Sequence, residues 1–304
     1  MQADPGSAPN SYEDLLARFV EWAKKEDAVR ALLVLGSRAR EDHPADEWAD
    51  LDLLLLVRDP QPILSETRWL DSIAPYLLTF VEPTAVAGQS ERRVLFEGMY
   101  DVDVSVIPLH LANLLANEPP RELLFDVFGR GHRLVLDKDN LEATLTSALR
   151  GLGSKPILPP PSEEEYIQAV DDFLYHVVWT AKHLRRGELF WAKRSLDCRL
   201  TPLVLQMLEW HSRAERGQDY DTWFRGRFLE EWADPKWTAG LREASARYDE
   251  ADLKAGLLSI FAMFELVATE TSEKLGLPYP EDEGKEIKKW LDLCLGTRPK
   301  PRPP

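Results

Sequence analysis

The segment GLGSKPILPPPS at residues 151–162 constrains this chain more than any other. It carries two glycines and four prolines, three of them consecutive. Proline locks φ and offers no amide hydrogen, so such a stretch is neither helix nor interior strand and acts as a semi-rigid spacer. The hydrophobic period differs on its two sides. Before it, short apolar runs bounded by Gly and Pro alternate with helical stretches. Beyond it, long amphipathic patterns run over about 163–186, 188–212, 238–248, 250–275 and 283–295, with Pro202 predicted to kink or divide the second. The expected organisation is a domain over 1–150, a linker over 151–162, a helical domain over 163–296 and a tail, TRPKPRPP, without order over 297–304.

In the first half, SYEDLLARFVEWAKKE at 11–26 has apolar residues at helical spacing, with Ser11 as its cap. ALLVLG at 31–36 and ADLDLLLLV at 49–57 read as strands joined by a polar connector. A helix is expected around 64–76, a strand at 77–82, and a strand pair at 92–97 and 102–108 around Gly98; residues 109–150 mix helical and loop signals.

Bulk properties exclude several classes. At 304 residues the chain has room for two domains with ample core. No stretch approaches the ~20 apolar residues of a membrane-crossing helix, and the start MQADPGSAPN has no basic or apolar leader region, so neither membrane nor secretion is expected. Cys198 and Cys294 have no metal-site spacing and are read as free thiols in the cytoplasm. The net charge of −15 argues against a nucleic-acid partner and favours small cationic ligands or simple solubility.

Chemistry enters at VLGSRAREDHPADEWADLDLLLLV. Asp50 and Asp52 are two apart on a predicted strand, so they share a face while Leu51, Leu53 and Leu55 take the other. Two adjacent carboxylates repel unless a cation lies between them. Gly36 and Ser37 end the preceding strand, where a tight turn, free amides and a hydroxyl suit phosphate oxygens, and Arg38 adds a guanidinium. In VDVSVIP, Asp103 offers a third carboxylate, with Asp101 as its same-face neighbour. Three carboxylates on magnesium are a known arrangement for in-line displacement at phosphorus. A bare D-x-D also describes two surface aspartates on an edge strand; the whole constellation does not.

With these words in place, the chain resembles the nucleotidyltransferase superfamily, and within it the aminoglycoside 6-adenylyltransferase (streptomycin adenylyltransferase-like) family. LVLGSRAR, DEWADLDLLLLV, VDVSVIP and AKHLRRGELFWAKRSLD carry the resemblance, over most of residues 12–295. It implies an α/β (α+β) domain with a mixed sheet followed by an all-α helical bundle, and magnesium-dependent transfer of AMP from ATP to an aminoglycoside hydroxyl in a cleft between them. Gly36, Ser37 and Arg38 would hold the triphosphate, and Asp50, Asp52 and Asp103 the metal; the VDVSVIP match favours Asp103 over Asp101.

In the second half, Asp172, His176, Trp179 and His183 fall on one helix face. Asp172 is expected to act as base toward the acceptor hydroxyl, although members of the family usually carry glutamate there. Asp172, Trp179, Glu97 and Asp101 are expected to meet the substrate, and Lys182 the triphosphate. Trp191, Trp210, Trp223, Trp232, Trp237 and Trp290 are expected to pack helices, and His110, His132 and His211 to be structural. A monomer or weak dimer is expected. The rival readings are transfer to another small molecule or to a protein hydroxyl, or a nucleotide-binding homologue without catalysis.

Overall fold

The structure, a computed structural model, describes residues 6–84, 89–111, 128–143, 146–147 and 157–296. The chain divides into two compact units, Met1–Pro156 and Ile157–Pro304. Residues 151–156 of the Pro/Gly-rich segment and the 297–304 tail lie outside the described residues.

The first unit opens with α1, Tyr12–Lys25, capped by the Ser11 hydroxyl, which accepts from the Asp14 amide. Then come β1 (Val29–Val34), a 3-10 turn at Gly36–Arg38, and β2 (Leu51–Val57). The helix expected around 64–76 is instead a short α2 (Gln61–Ser65) and a 3-10 turn (Arg68–Ser72). Pro62 fits the first turn of α2, and Glu66 is already extended. Strands β3 (Tyr76–Pro83), β4 (Ser90–Phe96), β5 (Tyr100–Pro108) and β6 (Arg133–Asp137) complete the sheet. β6 lies within 109–150, where helical and loop signals mix in the sequence and no strand is expected.

Among the described residues, six strands lie in the order β3-β4-β5-β2-β1-β6, and only β2 and β5 pair in parallel, so the sheet is mixed. β2 is central and apolar on both faces. Leu51, Leu53 and Leu55 pack with Leu15, Phe19 and Trp22 of α1, while Leu54 and Leu56 pack with Leu33, Ile107 and Phe128. Burial on both sides fixes its register, because a one-residue slip would send Asp52 into the α1 core.

The second unit is helical: α3 (Glu163–Arg185), α4 (Leu189–Ser195), α5 (Thr201–Arg216), α6 (Leu229–Trp232), α7 (Pro235–Ala244), α8 (Glu250–Leu275) and α9 (Glu281–Gly296). Ser162 and Glu165 form a capping box at the start of α3. Phe173 stacks on Phe264, with ring centroids 3.6 Å apart, at the centre of the α3–α8 core. Pro202 lies in the first turn of α5, behind a π-helical turn at Leu196–Leu200 in which the Thr201 amide reaches Leu196 O. The wider turn separates α4 from α5 and accommodates the proline. Among the described residues, no helix is long and apolar enough to cross a membrane. Neither cysteine forms a disulfide.

Candidate functional site

Asp52 and Asp103 are register partners across the parallel β2–β5 ladder, so their carboxylates leave the sheet side by side. Asp50 lies one residue before β2 rather than on it, yet still reaches them. One carboxylate oxygen from each of the three lies within 4.8 Å of the others. Burial pushes the Asp103 carboxyl up to about 6; Arg93 opposes that rise, and Glu91, Asp50 and Asp101 add to it. An all-oxygen, three-carboxylate donor set fits a hard divalent cation such as magnesium.

The turn beside the triad is built to approach it closely. Gly36 has φ +63°, and a β-carbon there would stand 2.0 Å from Asp52 Oδ2. The Leu35 amide donates to Asp52 O at 2.9 Å and locks the turn to β2. Ser37 is buried, and among the described residues its hydroxyl has no hydrogen-bond partner. A buried unpaired hydroxyl is costly unless a ligand oxygen meets it. Arg38 turns toward the connector. Its Nε donates to Asp50 O at 2.9 Å and its Nη2 to Ala49 O at 2.7 Å. The guanidinium lies 3.8 Å from the centroid of the Tyr12 ring, and Nη1 is 3.5 Å from Glu13 Oε1. Arg38 therefore shapes the loop that carries Asp50.

Beside this turn opens a groove of about 650 Å³, lined by residues that include Tyr12, Glu13, Arg38, Asp46, Glu47, Trp48, Tyr100 and Asp101. Trp48 is 84% exposed. The Tyr12 hydroxyl donates to Asp101 Oδ1 at 2.7 Å. Burial, reinforced by Asp101, raises the Tyr12 pKa, so the phenol keeps its proton and fixes the Asp101 carboxylate. Four carboxylates around an aromatic ring suit a cationic, ring-shaped ligand. Glu97 is exposed after β4, outside that lining. Sequence reading missed Tyr12, which at its helical position resembles another core aromatic. It also missed Arg93, on β4, which faces Asp103 at 3.3 Å.

On α3, Asp172, His176, Trp179 and His183 do form one stripe. His176 and His183 lie with ring centroids 6.4 and 3.8 Å from that of Trp179. Asp172 is clamped by Arg199, whose Nε donates at 3.1 Å, and lies 2.6 Å from His176 Nδ1. Taking a proton from a hydroxyl would first require Asp172 to leave that clamp. His183 pairs with Glu188. Trp191 departs from its expected packing role: it is 46% exposed and stands 5.7 Å from Trp179, between ring centroids. The Lys182 ammonium is exposed, 6.0 Å from the centroid of the Trp290 ring. Trp232 and Trp237 are core residues, as expected.

A sequence profile described as streptomycin adenylyltransferase matches residues 10–293. The aminoglycoside 6-adenylyltransferase of Bacillus subtilis (strain 168) is 22% identical over 285 residues, covering 90% of this chain and 95% of that protein. Its Staphylococcus aureus namesake is 22% identical over 231 residues, covering 74% and 77%. Among solved structures, an aminoglycoside 6-adenyltransferase from Bacillus subtilis superposes with a TM-score of 0.45 at 18% identity, covering 94% of this chain and 97% of that one.

Proposed function

The chain belongs to the streptomycin adenylyltransferase family of nucleotidyltransferases, and we propose that it transfers AMP from ATP to a hydroxyl of an aminoglycoside, releasing pyrophosphate. The observation that carries this reading is the convergence of Asp50, Asp52 and Asp103 beside the Gly36 turn and the unpaired Ser37 hydroxyl. The catalytic domain is assigned to residues 1–150 and the helical, substrate-binding domain to 163–296.

Asp50, Asp52 and Asp103 would hold magnesium, which when bound supplies charge neutralisation at the phosphates and favours in-line displacement. The Gly36 cradle lets the triphosphate approach β2 with no side chain in the way. Ser37 donates its hydroxyl to a phosphate oxygen, which removes the cost of its burial. Arg38 holds the Asp50 loop, and would reach the same phosphates by turning Nη1 from Glu13. The groove carrying Asp101, Asp46, Glu47 and Trp48 takes the ammonium or guanidinium groups and a ring of the acceptor. On the helical unit, Trp179 is assigned to acceptor stacking, Lys182 to phosphate and Asp172 to proton acceptance after release from Arg199. Glu97 is a peripheral acid for the same cationic substrate.

Thin-layer chromatography with labelled ATP and a panel of aminoglycosides tests the acceptor. A labelled product that appears only with aminoglycosides is expected. Label transferred instead to protein or to an unrelated small molecule would replace this reading.

A further inference from the structure

Three neighbouring strands direct carboxylates at a single cation. Arg93 of β4 is the register partner of Asp103 on β5. Its guanidinium is 3.3 Å from Asp103, 3.1 Å from Glu91 of its own strand and 2.5 Å from Glu82 of β3. Asp103 is a member of the triad; Glu82 and Glu91 are not. The Arg93 side chain is 43% exposed, so it has room to change partners, whereas that of Asp103 is 16% exposed and held by the ladder.

We propose that Arg93 is a positioning residue for the metal site: it counter-charges Asp103 until a divalent cation arrives, and Glu82 and Glu91 then retain it. This rests on reading Asp50, Asp52 and Asp103 as metal ligands. A divalent cation on Asp103 and a guanidinium 3.3 Å from the same carboxylate repel each other, so loading the site favours movement of the guanidinium off Asp103. Glu82 and Glu91 already hold the guanidinium, so it can give up Asp103 without losing its counter-charge. Without them Arg93 would compete with the metal. Without Arg93 the triad would carry its full repulsion and bind cations more tightly.

The test is Mn²⁺ titration of the full chain, followed by the paramagnetic resonance of free Mn²⁺, with circular dichroism to confirm folding. Asp52→Asn removes the site and serves as the reference. Arg93→Gln is expected to tighten Mn²⁺ binding by about tenfold, as removal of a unit charge a few ångströms away implies. Arg93→Lys keeps the charge and stays within about twofold of the parent. Glu82→Gln weakens binding when Arg93 is present and has no effect in the Arg93→Gln background, because the two act as one unit. Unchanged or weaker binding in Arg93→Gln, or a Glu82→Gln effect of equal size in both backgrounds, overturns the proposal while leaving the metal site standing. Should the parent bind no Mn²⁺ that Asp52→Asn removes, the metal reading itself falls, and this proposal with it.

Discussion

A β-carbon on Gly36 would stand 2.0 Å from Oδ2 of Asp52. No real contact is that short, and the φ of +63° adds a second reason for glycine. Gly36→Ala must therefore either push Asp52 out of the triad or pull the turn away from β2. A displacement of about 1 Å at a reacting centre costs on the order of 100-fold in rate. Gly36→Ala is expected to lose at least that in kcat while remaining folded, as read by steady-state kinetics beside a thermal melt.

Arg38 holds the Asp50 loop with a planar fork directed at two backbone carbonyls. A lysine ammonium cannot reproduce that fork. Hydrogen bonds to a charged group are worth about 1.5–3 kcal/mol each. Arg38→Lys is expected to lower kcat about tenfold or more by loosening Asp50, at unchanged protein concentration and melting point within a few degrees. A kcat equal to the parent's would show that the loop holds without the fork.

The groove predicts a split between substrates. Trp48→Ala and Asp101→Asn each remove a contact for a cationic ring system, worth about 0.5–2 kcal/mol. The aminoglycoside KM should rise about threefold to tenfold on that scale, with the ATP KM little changed. Equal rises in both constants would place ATP, not the acceptor, in the groove.

Glu270 on α8 joins buried His211 to Lys236, with Nε2 of His211 at 3.0 Å and the lysine ammonium at 2.8 Å. Burial works to raise the Glu270 pKa, but hydrogen bonds and charge from Lys236 and His211 outweigh it and hold the carboxylate below its ordinary value. A carboxylate depressed in the folded state contributes stability that is fully present above its unfolded pKa and is lost as pH falls through the folded one. Glu270 is about one-third exposed, so screening keeps this contribution modest, about 1 kcal/mol. Glu270→Gln should melt a few degrees lower at pH 7, and the gap should close as the pH is taken below the carboxylate range. A gap independent of pH would assign the loss to packing.

Much of the site was legible because strand alternation is local. The D-x-D spacing put Asp50 and Asp52 on one face, and the period of VDVSVIP offered Asp103. What aligned Asp103 with Asp52 is the parallel β2–β5 register, a long-range pairing that no local pattern encodes. The same blindness hid Arg93, which meets Asp103 only across the β4–β5 ladder, and Tyr12, whose hydroxyl finds Asp101 from a different element. The stripe on α3 followed from helical spacing, but its consequence did not, because Arg199, which clamps Asp172, comes from another segment. Nothing local separates Trp191 from a tryptophan that packs helices, and only the fold shows its ring exposed beside Trp179. Pro62 falls in the first turn of α2, where proline is tolerated, so it marks the start of a helix and not a break.

The central claim is that three carboxylates on β2, β5 and the loop before β2 serve AMP transfer. Mass spectrometry of streptomycin after incubation with ATP and magnesium, using the parent chain beside Asp50→Asn and Asp103→Asn, tests it most directly. The account predicts a mass gain of one AMP with the parent, and none with either variant, both variants melting close to the parent. AMP transfer by a folded Asp50→Asn or Asp103→Asn protein at the parent's rate would contradict it.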